Sequence, residues 1–204
     1  MVQKIHRSGL QAALHVMEIR SLEAASAAIE KSLRIFQKPD HRHRLEHASV
    51  LEAADIEDIA RLGLVVSTSP LFIHNEKGWL LKRFGPDRVR RVYPFRAFLD
   101  RGVKLAGASD GPICSTEVLH AIQCAVTREG FETQQGITVA EAIRMFTLDA
   151  AYAQFEETVK GSIRVGKRAD LVILSGNPAR VPAEKIRELR VEATICGGRN
   201  IFQI

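Results

Sequence analysis

Three side chains that can carry out hydrolytic chemistry follow short apolar runs in this sequence. Asp110 closes the run 104–109, and His15 and His47 close two earlier runs. In α/β proteins the carboxyl ends of parallel strands meet at one edge of the sheet, where functional groups collect. Two imidazoles and a carboxylate at one edge are donors typical of a divalent-metal site. The carboxylate can also accept and return a proton during hydrolysis.

Each of these residues also has a structural interpretation. Asp110 can instead cap the next helix, which is expected to start near Ser115. A single histidine is more often a packed core residue than a metal ligand, but two histidines and an aspartate at equivalent strand ends favour a site. The other histidines do not share that position and are predicted to be surface or packing residues: His6, His41, His43, His74 and His120.

Strand and helix patterns alternate through the first part of the chain, which predicts a parallel sheet with crossover helices. Ser67 and Ser69 lie at the polar end of the third strand, and Trp79 lies in a segment, 71–84, that we expect to be a loop above it. Ser21 is expected to cap the first long helix. Strands are predicted near residues 11–16, 43–48, 64–69 and 104–109, and helices near residues 21–36, 52–62, 115–129 and 139–153.

The character of the chain changes after Gly161. A turn-rich segment is followed by short apolar runs at 171–174 and 191–196, which predict a small β region. We therefore divide the chain into an α/β body, residues 1–160, and a β segment, residues 161–204.

Composition limits the class of protein. The chain has 204 residues, is 46% hydrophobic and 26% charged, and carries a formal charge of +5. It has three cysteines without a CxxC pair, and it has no membrane-length apolar run or apolar leader, which predicts a cytoplasmic, soluble protein that does not bind membranes. The arginines between residues 83 and 96 are interpreted as a solvated helix face, so no nucleic-acid partner is expected.

Several motifs occur together and in order: His15, Arg44-Leu45-Glu46-His47, Ser67-Thr68-Ser69-Pro70, Ser109-Asp110-Gly111-Pro112, and Gly161-Ser162-Ile163 followed by Gly166-Lys167-Arg168-Ala169-Asp170-Leu171. In this combination the chain resembles the metal-dependent amidohydrolase superfamily, and most closely its amidohydrolase-3 branch. The resemblance extends from about Gly9 to Phe202.

The resemblance implies a fold and a chemistry. The chain corresponds to the carboxyl-terminal half of a TIM (β/α)8 barrel, strands five to eight, with part of a small β-sandwich. His15 and His47 match two metal-ligand histidines, and the metal is a divalent ion, in many members zinc. Asp110 matches the catalytic aspartate, which acts as general base and acid while a metal-activated water attacks a non-peptide or cyclic amide. Ser67, Ser69 and Trp79 are candidate contacts to this small-molecule substrate.

The chain also departs from the family pattern. No His-x-His pair stands on a buried strand before His15, and no bridging carboxylated lysine or carboxylate is present; His41-Arg42-His43 has the spacing but lies at the wrong end of its strand. Glu18 stands near the place where members often have an aspartate. An open half-barrel needs a partner, so we expect either an amino-terminal half-barrel chain or a homo-oligomer. The alternative function is a catalytically incomplete, oligomeric module without activity.

Overall fold

The computed structural model describes residues 1–204 and divides into two compact units. The first unit contains Met1–Thr68 and Glu76–Ala106. The second contains Ser69–Asn75 and Gly107–Ile204. The sequence-based division at residue 160 stays a prediction.

The first unit is built on a four-stranded sheet. Its strands are β1 (Ala13–Glu18), β2 (Arg44–Val50), β3 (Val65–Thr68) and β4 (Lys104–Gly107), in the order β1-β2-β3-β4. β1 pairs with β2 and β2 with β3 in parallel, which confirms an α/β protein with a parallel sheet. The predicted bounds of the first two strands were wrong by one or two residues, because β1 and β2 begin later than predicted and continue to Glu18 and Val50.

One face of this sheet is the apolar core of the first unit. Val16, Leu45 and Val66 share this face in the parallel register and are fully buried. Burying such side chains contributes about 1.5–3 kcal/mol each, so this face holds the sheet together. The opposite face is more open on β1 and β2, since Ala13 and His15 are exposed and Glu46 is half-buried.

Helices connect these strands. They are α1 (Val2–Arg7), α2 (Ile19–Ile35), α3 (Ala53–Arg61), α4 (Leu71–Val89) and α5 (Phe95–Asp100). The prediction that Ser21 caps the first long helix was wrong, because α2 starts two residues earlier and Glu18 is its N-cap. Ser21 instead completes a capping box, in which its hydroxyl accepts the backbone N–H of Glu18 at 3.2 Å.

The expected loop at 71–84 was also wrong, because this segment is helical. α4 begins at Leu71, and Leu71, Ile73 and Leu80 are buried. Its helical geometry is interrupted at Gly85, which adopts φ 68° just before Pro86. Exposed polar residues and Gly78 hide the apolar face in the sequence.

The second unit combines three helices with a small antiparallel sheet. The helices are α6 (Val118–Thr127), α7 (Val139–Phe146) and α8 (Leu148–Tyr152), and the strands are β5 (Leu171–Leu174), β6 (Val191–Cys196) and β7 (Arg199–Gln203), in the order β5-β6-β7. The first two strands lie where the sequence predicts them, and β7 was not predicted. A 3-10 helix, Ala183–Glu188, lies beside α6, where the Gln123 Oε1 atom accepts the backbone N–H of Arg187 at 3.1 Å.

None of the helices is both long enough and apolar enough to cross a bilayer.

Candidate active site

The structure brings His15 and His47 together. Their ring centroids lie 4.8 Å apart, and the ring planes cross at 73°. His15 is on β1 and exposed, and His47 is on the neighbouring strand β2 and half-buried. Both lie within their strands rather than at the predicted strand ends, because the strands extend further than expected.

A bulge in β2 accounts for this pairing of rings. The register opposes His15 to Glu46 and Val16 to His47, so regular pleating would direct the side chains of His15 and His47 to opposite faces. His47 and Ala48 adopt φ values of 72° and 51°, and β2 contains one residue more than β1 before the next pair. Such a bulge re-aims a side chain, and left-handed residues other than glycine store strain that is typical of functional sites.

Asp110 lies in the second unit, three residues beyond the end of β4. It is exposed and adopts φ 54°. The turn that holds it is closed by two hydrogen bonds: the Ile113 N–H donates to the Asp110 carbonyl at 2.8 Å, and the Gly111 N–H donates to the Ser109 Oγ atom at 3.2 Å. The helix-cap alternative is wrong, because α6 begins at Val118 with Glu117 as its N-cap.

The three predicted substrate contacts lie in different surroundings. Ser67 is opposite Glu46 in the β2–β3 register and is 8% exposed. Ser69 is 1% exposed, and its Oγ atom has no hydrogen-bond partner. Trp79 is exposed on α4, with its ring edge-on to that of Phe84 at 6.0 Å. Their role in substrate binding stays a prediction.

A second group of histidines, His6, His41 and His43, is fully buried in the first unit. The backbone N–H of Ala12 donates to the Nδ1 atom of His43 at 3.0 Å, so the proton of that ring is on Nε2. That Nε2 lies 2.8 Å from the Nδ1 atom of His6, and the Nε2 of His6 lies 2.6 Å from the Phe36 carbonyl oxygen.

His41 follows the same pattern. Its Nδ1 accepts the backbone N–H of His43 at 2.9 Å, and its Nε2 donates to the Leu62 carbonyl at 2.9 Å. Burial lowers the pKa of His43 to about 4, with smaller contributions from the neighbouring charges of His41, His6 and Lys38. Burial also lowers the pKa of His41. The rings of His41 and His43 are therefore neutral, and all three histidines of this group are packing residues whose nitrogens are engaged in hydrogen bonds.

A third group was missed by the sequence-based reasoning. His74 and His120 were interpreted as surface or packing residues, but the second unit places both beside the carboxylate of Glu129. The Nδ1 atom of His74 lies 2.8 Å from the Oε1 atom of Glu129, and the Nε2 atom of His120 lies 3.3 Å from the same oxygen. No local sequence pattern links the three residues.

The donor chemistry of the His15–His47 pair fits a divalent metal. Imidazole nitrogens are ligands for zinc and similar ions, and a catalytic zinc site uses three protein ligands. The pair therefore offers part of a donor set, on a sheet face that is open to further ligands.

These features define a class of fold, an α/β protein whose parallel sheet carries a close pair of imidazoles, and comparison with known proteins makes the assignment specific. The model of the amidohydrolase family matches residues 1–202, so this chain belongs to the amidohydrolase family, in its amidohydrolase-3 branch.

Two relatives and one solved structure illustrate the similarity. The chain is 29% identical over 211 residues to "Putative amidohydrolase YtcJ" of Bacillus subtilis (strain 168), which covers 100% of this chain and 39% of the relative. It is 30% identical over 199 residues to N-substituted formamide deformylase of Arthrobacter pascens, and the alignment covers 93% of this chain and 36% of the relative. An uncharacterized metal-dependent hydrolase from Pyrococcus furiosus superposes with a TM-score of 0.77 at 27% identity, covering 88% of this chain and 37% of that chain.

The chain thus spans little more than a third of the length of the relatives it matches.

Proposed function

We propose that this chain supplies the carboxyl-terminal half of an amidohydrolase active site, on strands five to eight of a TIM barrel, with part of the adjoining β-sandwich. The reaction is hydrolysis of a carbon–nitrogen bond in a non-peptide amide or cyclic amide. The observation that carries the proposal is the pair of rings of His15 and His47, 4.8 Å apart and aimed by a strained bulge. Family membership and the similarity to a formamide deformylase support the reaction class.

His15 and His47 would hold a divalent metal, with zinc favoured by the two imidazole donors. A metal bound there supplies Lewis-acid activation of water and of the scissile carbonyl. The exposed fraction of His15 and the open sheet face around it leave room for ligands from another segment. An amino-terminal half-barrel or a second copy of this chain would complete the donor set.

Asp110 moves the proton in this proposal. Asp110 is exposed, on a turn that is held by one backbone–backbone hydrogen bond and by one from the Gly111 N–H to the Ser109 hydroxyl. It accepts a proton from the attacking water and returns it to the leaving nitrogen, which completes the hydrolysis without a net change at Asp110. Ser67, Ser69 and Trp79 are proposed to contact the substrate.

The decisive experiment measures formate release from an N-alkylformamide in the presence of zinc. The chain is assayed alone and with the polypeptide encoded immediately upstream, and each assay is repeated with D110N. Asparagine tolerates the left-handed backbone of Asp110, so the variant should fold. We expect zinc-dependent hydrolysis that falls about 10²–10⁴-fold in D110N, the range for removal of a general base.

D87N is the matched control, because Asp87 is an exposed carboxylate on α4 outside the proposed machinery. It should leave the rate unchanged. Absence of zinc-dependent hydrolysis in both preparations, with well-folded protein, would overturn the proposal in favour of a non-catalytic module. An equal loss of rate in D87N and D110N would remove Asp110 from the mechanism.

A further inference from the structure

The second unit gathers three potential metal ligands outside the pair assigned above. His74 lies on the first turn of α4, His120 on α6, and Glu129 in the 3-10 turn Arg128–Gly130 that follows α6. One ligand atom from each residue, two imidazole nitrogens and a carboxylate oxygen, lies within 4.8 Å of both others. Because the residues come from three separate elements, only the tertiary fold brings them together.

The separations between these atoms are close to those in a zinc site. Bonds of about 2.0–2.1 Å in tetrahedral geometry require ligand atoms about 3.3–3.4 Å apart. The His120 Nε2 atom and the Glu129 Oε1 atom already lie 3.3 Å apart. The 2.8 Å separation between the His74 Nδ1 atom and the same oxygen requires only a small outward movement of the His74 ring, which is the most exposed of the three side chains.

Burial within the cluster is graded. The side chains of His120 and Glu129 are only 12% and 15% exposed, whereas that of His74 is 44% exposed. On the inner side, the Cys124 thiol, one helical turn after His120, points toward the Glu129 Oε1 atom at 3.8 Å. The cluster is thus closed toward the protein and open toward solvent on the side of His74, which provides an entry path and a position for a water ligand.

The backbone beneath the carboxylate is strained. Arg128 and Glu129 adopt φ values of 50° and 48°, two successive left-handed residues that are not glycine. Such residues cost about 1–3 kcal/mol each and persist where surrounding contacts hold them. Arg128 is fully buried, with its Nε–H donating to the Phe131 carbonyl at 2.9 Å, and the Glu129 N–H donates to the Thr127 Oγ1 atom at 3.1 Å. These contacts fix the carboxylate beside the two rings.

We propose that His74, His120 and Glu129 form a second metal site, which binds Zn²⁺ or a similar first-row divalent ion through three protein ligands and one water. Two imidazoles and one carboxylate select such ions over Mg²⁺ and Ca²⁺, which prefer oxygen ligands. The bound ion ties the first turn of α4 to α6 and to the strained turn after it. The site therefore stabilises the second unit, independently of whether the proposed hydrolysis occurs.

The test begins with removal of the other histidine pair. In an H15A/H47N variant of the full chain, stripped with a chelator and titrated with zinc, we expect about one zinc per chain by elemental analysis. In this background H74A and E129Q are each expected to weaken zinc binding at least about tenfold. Mutating a residue that only hydrogen-bonds to a metal ligand already lowers metal affinity about 10–100-fold, so loss of a ligand itself should cost no less. E129Q keeps a hydrogen-bond acceptor for His74 while it removes the charge that a cation requires.

E132Q is the matched control, because Glu132 is another left-handed glutamate three residues further along the chain. It should bind zinc as tightly as the H15A/H47N background. Zinc should also raise the midpoint of thermal unfolding in E132Q and have no such effect in H74A. Circular dichroism of the metal-free variants separates lost binding from lost folding.

Two outcomes would overturn the proposal. One is that the H15A/H47N variant retains its fold and binds no zinc, which would leave the cluster as a metal-free set of hydrogen bonds. The other is that zinc binding persists unchanged in both H74A and E129Q.

Discussion

Two groups of histidines in the first unit differ in what surrounds their rings: His6 lies on α1 and His41 and His43 lie just before β2, whereas His15 and His47 lie within β1 and β2. His6, His41 and His43 are buried at the beginning of the sheet, where backbone groups and neighbouring rings occupy their nitrogens. His15 and His47 lie within β1 and β2, with the ring of His15 exposed and the two rings edge to face beside the bulge. The first group stabilises the fold, and we assign the second to the chemistry.

The comparison shows why residue spacing alone is a weak guide to a metal site. His41-Arg42-His43 has the spacing of a ligand pair, yet both rings accept a backbone N–H through Nδ1 and are held neutral by burial. Metal binding there would displace these hydrogen bonds and leave buried backbone groups without partners, which costs about 1–3 kcal/mol for each group.

The largest expected effect is on the hydrolysis rate, when a ring of the His15–His47 pair is removed. H47N should lower the zinc-dependent hydrolysis rate of the assembled enzyme at least about a hundredfold. Loss of a ligand weakens the binding and positioning of the metal, which provides several kcal/mol of transition-state stabilisation. Asparagine tolerates the left-handed backbone at this position, so the free energy of unfolding should change little. Initial rates under saturating zinc and urea titrations test both expectations. A rate near that of the parent chain would remove His47 from the site.

The buried group predicts a dependence of stability on pH. The pKa of His43 is lowered from 6.5 to about 4 in the folded chain, so the unfolded chain binds a proton first as the pH falls. The stabilisation is complete above pH 6.5 and is lost as the pH falls toward 4. It amounts to about 3 kcal/mol, at 1.36 kcal/mol for each pKa unit.

Urea unfolding at several pH values between 7.5 and 4 measures this loss. His41, whose pKa burial also lowers, contributes to the same curve. H43Q, which cannot titrate, should flatten it, and an equally steep curve in H43Q would contradict the assignment.

A smaller effect is expected when the buried ring itself is removed. H43A deletes the acceptor for the Ala12 N–H and the donor to His6, which leaves two buried polar groups without their partners. We expect a loss of about 2 kcal/mol in the free energy of unfolding at pH 7.5. Differential scanning calorimetry or urea titration measures it, and a neutral result would show that water replaces the ring.

The smallest expected effect on stability is that of removing the exposed ring of His15. H15A removes an exposed side chain from β1 and should change the free energy of unfolding by no more than about 0.5 kcal/mol. The same urea titrations compare it directly with H43A. A destabilisation as large as that of H43A would mean that the exposed pair is also structural.

Much of the fold could be predicted from the sequence because local patterns encode it. The runs that contain Val16, Leu45, Val66 and Leu105 form the four strands of the sheet, since each carries a side chain that is buried in the core. α4 was missed because Gly78 and the surrounding polar residues obscure the buried face formed by Leu71, Ile73 and Leu80.

The candidate sites were less accessible to this reasoning. His15 and His47 could be selected from their strands, but the contact between their rings depends on a bulge. The two left-handed residues of the bulge, His47 and Ala48, are not glycines, so the sequence does not indicate it. His74 and Glu129 are 55 residues apart and meet only through tertiary structure.

Because of the bulge, the number of residues in β2 determines which side chains lie on each face of the sheet. After the bulge, the alternation of side chains between the two faces is shifted by one residue relative to the part of β2 before it. Regular pairing would place Ala48 beside Met17, but the Ser49 Oγ atom contacts the Met17 sulfur at 3.7 Å. Deleting Ala48 would bring the strand back into phase and turn His47 away from His15 with every side chain of the pair intact. In this protein a single-codon deletion could therefore separate two histidines that no substitution has touched.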